Sequence, residues 1–166
     1  EGFRGKDEIY QYGPRYNPDN VRVLLSIDMA ASNPKHPWHV PVSWIRDYGR
    51  GRVFYTNLGH NDATWSDDAF QKHFTEGTAW ALGRFDAPSK ANPSIQAAEY
   101  LRSAVAAAGE LEGIEHDTLR AHVDAKIAAD PSWAAQMRPQ VVALRSLNGE
   151  KMSTALKQFV EDIQRD

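Results

Sequence analysis

The sequence predicts a mixed α/β region followed by an all-helical tail, and three stretches carry that prediction. Pro41 to His60, PVSWIRDYGRGRVFYTNLGH, reads as two strands with a reversal between them. Val21 to Ile27, VRVLLSI, is a near-continuous aliphatic run of strand length. Beyond Pro88 the composition turns alanine-rich, with apolar residues recurring every three or four positions, the spacing of a helix face.

From the N-terminus, Glu1 to Lys6 is glycine-rich and irregular, and Asp7 to Tyr12 is a short strand candidate that opens on two carboxylates. Gly13-Pro14 and Asn17-Pro18-Asp19-Asn20 are turn material. The aliphatic run Val21–Ile27 suits a central strand. Ala31 to Val40, ASNPKHPWHV, reads as a loop. His36 and His39 in it have metal-ligand spacing, but Pro37 argues against the helix that would put them on one face.

Val42 to Tyr48 alternates Val42, Trp44 and Arg46 with Ser43, Ile45 and Asp47. Gly49-Arg50-Gly51 supplies two residues able to take positive φ, which favours a β-hairpin with a short loop. Arg52 to Leu58 has few charges and suits a strand buried on both faces. Within it Arg52 departs from the apolar run and is expected to pair with Asp47 across the hairpin. Ser66 is the expected N-cap of a helix with Asp67 and Asp68 in its first turn. Phe70, Phe74, Gly77 and Ala81 share its inner face, and Gly83 ends it.

Arg84 to Ala91 is linker-like. After it Asn92-Pro93 opens a helix to Gly109 whose expected apolar face is Ile95, Tyr100, Leu101 and Val105. Asp117 or Thr118 starts another, with Leu119, Val123 and Ile127. Asp130-Pro131 is a cap-plus-first-turn signal for a third, in which Pro139 predicts a kink or restart. The last helix carries Met152, Leu156, Val160 and Ile163. The expected organisation is an α/β region over 1–85, a linker over 86–92 and a helical extension over 93–166.

Composition removes several function classes. Among 166 residues, 42% are hydrophobic and 25% charged, as in an ordinary soluble globular protein. The net charge of −3 and the lack of a basic stripe give no case for nucleic acid. No apolar run approaches the roughly 18 residues of a membrane span. There is no cysteine, so disulfides, thiolate metal sites and cysteine-dependent amidotransferase chemistry are excluded. No G-x-G-x-x-G follows a strand and no G-K-[ST] phosphate loop occurs, which counts against nucleotide binding. The compartment stays open between cytoplasm and periplasm.

Four motifs in order carry a family resemblance: Asp7-Glu8-Ile9-Tyr10 (D-E-x-Y), Pro41-Val42-Ser43-Trp44 (P-V-x-W), Tyr48 to His60 (Y-G-x-G-R-V-F-Y-T-x-L-G-H) and Trp80 to Gly83 (W-A-L-G). Over roughly Glu1 to Gly83 the chain resembles the ThuA-like, trehalose-utilisation family. That resemblance implies a layered α/β domain, flavodoxin-like and similar to class I glutamine amidotransferases, and a role in carbohydrate utilisation. Family domains carry a first half before D-E-x-Y. The expectation is therefore the C-terminal half of such a domain, either a fragment or a fold completed by a homo-oligomer or a complementary chain.

His60, where the second hairpin strand ends, is the first catalytic candidate. An imidazole there can exchange protons near neutral pH or ligate a metal. Glu8 is the second; a carboxylate can orient the histidine or accept sugar hydroxyls. Alternation along a strand puts Asp7 and Glu8 on opposite faces, so one of them faces a given cleft, and Tyr10 shares the face of Glu8. Asn61 and Asp62, in the loop after His60, are candidate substrate contacts. By the resemblance, Trp38 and His39 stand on the cleft rim. Trp44 and Trp65 are expected as core or rim aromatics, and His73, His116 and His122 as structural, capping or solvated. The expected function is acid–base chemistry on a sugar or oxidised sugar, with room for a divalent metal. The alternative is a non-catalytic module for sugar binding or subunit interaction.

Overall fold

The computed structural model describes residues 4–10, 12, 16–28, 32 and 41–165. Gly13-Pro14 and most of the predicted 31–40 loop, including His36, Trp38 and His39, lie outside them. The chain divides into two compact units, one within Glu1–Ser26 and Val40–Asn92, the other within Ile27–His39 and Pro93–Asp166.

The first unit is a three-stranded antiparallel sheet with two helices. Strands β1 (Arg22–Ser26), β2 (Pro41–Tyr48) and β3 (Gly51–Thr56) lie in the order β1-β2-β3. The hairpin forms as predicted. Gly49 takes φ 60° in the reversal, a conformation open to glycine at little cost. Its register pairs Ser43 with Thr56, Ile45 with Phe54 and Asp47 with Arg52 on one face, and Trp44 with Tyr55 on the other.

Two strand expectations are corrected. The aliphatic run is an edge strand, not a central one: Leu24 is 39% exposed and the pairing to β2 is irregular between Val23 and Ser26. An aliphatic run reports burial of one good face as readily as of two. β3 is the other edge of the sheet and is half-buried rather than sealed. Asn17 makes the predicted turn, its side chain accepting from the Asp19 amide at 2.9 Å ahead of the 3-10 turn Pro18–Asn20. The Asn92 side chain lies along β1, accepting from Val23 N at 2.9 Å and donating to Val23 O at 2.9 Å.

After β3 come a single turn, α1 (Asp62–Trp65), and α2 (Asp68–Ala81). Asp67, not Ser66, caps α2, accepting from the Phe70 amide at 2.9 Å, while Ser66 closes α1. With Ser66 committed to closing α1, the aspartate one residue later accepts from the free amide, so the cap moves by one position. The far end is a Schellman motif: Gly83 at φ 72° donates to Trp80 O and Arg84 N donates to Ala79 O.

α2 packs on the Ser43/Phe54 face of the sheet through Phe70, Gly77 and Trp80, which are buried, while Phe74 stays 38% exposed. A β-carbon at Gly77 would stand 2.3 Å from Cζ of Phe54, so glycine is what lets helix and strand approach. Arg52 does not pair with Asp47. Its guanidinium donates to Trp80 O in the last turn of α2 at 3.1 Å and to Phe85 O beyond it at 3.0 Å, and pairs with Asp86. Asp47 instead accepts from the Ser89 hydroxyl. On the opposite face Trp44 stacks on Tyr55 at 5.0 Å and Tyr12 on Tyr16 at 4.2 Å, with Trp44 Nε1 donating to Tyr12 Oη at 3.1 Å.

The second unit is helical: α3 (Pro93–Gly109), α4 (His116–Ala129), α5 (Pro131–Leu144) and α6 (Gly149–Arg165). α3 is its centre, packing against the other three. Its burial is wider than the predicted stripe. Ala97, Ala98, Ala104, Ala107 and Ala108 are buried with Tyr100, Leu101 and Val105, whereas Ile95 is 56% exposed. Alanine lets neighbouring helices approach from several sides, which a count of large apolar residues cannot reveal.

Asp130 caps α5 as predicted, accepting from Ser132 N at 2.8 Å. α5 runs unbroken through Pro139, against expectation. Pro139 and Ala135, whose carbonyl loses its helical donor, are both exposed, so water can satisfy that carbonyl. Leu156, Val160 and Ile163 of α6 are buried, as predicted, with Phe159 beside them. His122 Nε2 lies 3.2 Å from Ile163 O in the last turn of α6. Among the described residues no helix is long and apolar enough to cross a membrane.

Gly77→Ala should lower stability by about 1–3 kcal/mol, because the ring of Phe54 must move, despite the roughly 1 kcal/mol that alanine gains in a helix. Denaturant midpoints check this, and adding Phe54→Leu should recover part of the loss, making the pair non-additive.

Candidate functional site

The site is built where β3 runs out. Gly59 turns the chain at φ 110°, and a β-carbon there would stand 3.2 Å from the ring of Trp65. Trp65 Nε1 donates to Gly59 O at 2.9 Å, folding α1 back on the loop. Gly59, His60 and Asn61 thereby present successive backbone N–H groups, a nest for an anion.

The anion is Asp7. Its Oδ2 accepts from Gly59 N at 2.7 Å and Thr64 Oγ1 at 2.9 Å. Its Oδ1 accepts from His60 N at 3.1 Å, Asn61 N at 3.1 Å and Glu8 N at 3.0 Å. Burial raises the Asp7 pKa, but the donors from Gly59, Thr64, Asn61 and Glu8 together outweigh it, and the carboxyl titrates below the ordinary aspartate value.

The predicted strand over Asp7–Tyr12 is thus corrected. Residues 7–10 are irregular and held by side chains instead of a ladder. Asn61 Nδ2 donates to Lys6 O at 2.9 Å and Asn57 Nδ2 to Tyr10 O at 3.0 Å.

This arrangement brings the two catalytic candidates together: His60 Nε2 lies 3.2 Å from Glu8 Oε2, with side chains 55% and 53% exposed. Without a strand the alternation argument does not apply: Asp7 binds the backbone of the His60 loop and Glu8 the His60 ring. Of the remaining candidates, Tyr10 has its ring in solvent, 59% exposed, and Asp62 is exposed at the start of α1. The Asn61 side chain is engaged in holding the loop. Trp38 and His39 fall outside the described residues. Trp65 is 48% exposed beside Gly59.

A carboxylate on Nε2 fixes that nitrogen as the N–H donor and leaves Nδ1 as the base. The pair can therefore hold a tautomer, move a proton at Nδ1 and stabilise the imidazolium formed. Among the described residues no group of three or more His, Asp or Glu side chains could hold a metal ion. His60 and Glu8 offer two donors, and the oxygens of Asp7 are taken up by amides and a hydroxyl.

Sequence reasoning weighed Asp7 only as a rival to Glu8 and missed its role under the loop. The available signal was Gly59-His60-Asn61 before a helix, a cluster of backbone donors that needs an acceptor. It also missed the tie between His73 and Ser43. The fully buried Ser43 donates from Oγ to Tyr55 O at 2.7 Å, so it accepts from His73 Nε2–H at 3.0 Å. His73 is structural, as expected. Burial pushes its pKa below the ordinary 6.5, with Glu76 opposing.

A model of the ThuA family, described as trehalose utilisation, matches residues 1–81. No curated protein and no solved structure matches the chain.

Asp7→Ala should cost about 1–3 kcal/mol, toward the lower end because the carboxylate is partly solvated. A carboxyl whose folded pKa is depressed stabilises the fold above its unfolded value, near 3.8, and loses that contribution as pH falls through the folded value. The acid limb of unfolding should therefore flatten in Asp7→Asn. For His73 the sign is the same, but the cause is burial of the ring. The unfolded chain takes the proton first, so stability falls as pH drops below about 6.5. Denaturant titrations at pH 7.5 and 5 should show a smaller loss in His73→Gln than in the wild type.

Proposed function

Since a model of the ThuA family, described as trehalose utilisation, matches residues 1–81, we propose that the chain acts on a sugar or an oxidised sugar by acid–base chemistry at His60 and Glu8. The 3.2 Å approach of His60 Nε2 to Glu8 Oε2 carries this reading. Nδ1 of His60 takes a proton from a substrate hydroxyl or from a carbon beside a carbonyl, and later returns it. Glu8 holds the ring and offsets the charge of the imidazolium. Tyr10 and Asp62 offer a ring face and a hydroxyl acceptor to the same ligand, and Asn61 contributes through the loop it ties. Residues 93–166 form a helical extension, joined through 86–92.

A second reading has one observation in its favour. The exposed rings of Tyr10 and Trp65 stand on the two segments that carry Glu8 and His60, and exposed aromatic faces stack on sugar rings. On that reading the chain binds carbohydrate without turning it over, or serves a complementary chain or second copy.

Trehalose and its oxidised forms, followed by NMR with purified protein, separate the two. His60→Ala and Glu8→Gln should each lower turnover by about 10²–10⁴-fold. Turnover that survives His60→Ala would refute the acid–base reading. Binding without turnover, unchanged in His60→Ala, would favour the module.

A further inference from the structure

The two proposed catalytic side chains are more than half exposed, so packing does not hold them together. An exposed ion pair is too weak to order a loop. Something else must set their separation. The backbone amides of Glu8 and His60 both donate to one atom, Asp7 Oδ1, at 3.0 and 3.1 Å. The second oxygen fixes the same carboxylate to Gly59 N and to Thr64 Oγ1, and Thr64 is buried in α1. Asn61 and Asn57 tie the neighbouring residues Lys6 and Tyr10, but the Glu8 and His60 backbones themselves meet at this one carboxylate, whose other oxygen binds Thr64 in α1.

We propose that Asp7 is the positioning residue of the site, holding the Glu8 and His60 backbones at the spacing that lets their side chains meet. It rests on the acid–base function proposed above, but its test does not need turnover. Asp7 reaches the proposed reaction only through His60 and Glu8. Asparagine in its place keeps the shape but turns one acceptor oxygen into an N–H₂ donor, set against amide and hydroxyl donors.

The experiment is NMR on isotope-labelled full-length chain. In the wild type, nuclear Overhauser contacts join the His60 ring to the Glu8 side chain, and couplings across hydrogen bonds join the Gly59 and His60 amide nitrogens to the Asp7 carboxyl carbon. In Asp7→Asn the His60–Glu8 contacts should vanish while the Trp44 indole signal and the helical circular dichroism persist. Gly77→Ala, which weakens the same unit elsewhere, should keep them, so general destabilisation does not mimic the result. With a carbohydrate that the chain turns over, kcat should fall about 10²-fold in Asp7→Asn, the scale of a 1 Å misplacement, with KM little changed.

Contacts that persist in folded Asp7→Asn would overturn the proposal. So would absent couplings to the Asp7 carboxyl in the wild type, a measurement that stands even if the variant does not fold. Lost contacts together with turnover indifferent to His60→Ala would uphold the positioning role and remove the catalytic one.

Discussion

The two-residue reversal at Gly49-Arg50 fixes how β2 lies on β3, and the arrangement of the first unit follows from that register. A slip of one residue would exchange the faces of the strand. With the observed pairing, Ser43, Ile45 and Phe54 lie under α2, and Trp44 stacks on Tyr55 with the Tyr12 ring tilted against it on the other side. The same register puts Arg52 where it can reach the end of α2, and it determines where β3 stops and hence where His60 emerges. The helix in turn depends on the strand: Gly77 is needed because the ring of Phe54 fills the space its side chain would take.

The hairpin was legible because its signals are local and agree: alternation, two glycines and a β-branched run. The ends of α2 were nearly legible, since Gly83 and the Ser66-Asp67-Asp68 cluster mark them, and only the identity of the cap was off by one. What the sequence did not reveal is sheet order. An aliphatic run such as Val21–Ile27 does not say which of its neighbours are strands, so an edge reads like a centre. Arg52 was misassigned for a related reason. Its partner across the ladder is Asp47, but the longer reach of its side chain finds carbonyls that only the tertiary fold brings near.

The site was legible in its members and not in its construction. A histidine at a strand end and a nearby carboxylate are visible as residue types, and Glu8 and His60 do meet. The distance in sequence between Asp7 and the 59–61 amides hides the element that connects them. In the helical unit the four helices were legible from spacing and caps. The extent of burial around α3 was not, because alanine carries little hydrophobic signal yet permits close packing. Pro139 shows the limit of a local rule: a missing donor matters less where the orphaned carbonyl faces water.

The side chain of Asn92 has a consequence beyond its two hydrogen bonds. By offering an acceptor and a donor to Val23 it imitates one residue of a neighbouring strand at the outer rim of β1. A bare rim of this kind recruits strands from other molecules and seeds aggregates. Here any incoming strand would have to evict an amide that already satisfies both polar groups, and would meet an irregular ladder beyond it. A single asparagine thus acts as a stopper that keeps this edge of the sheet from growing.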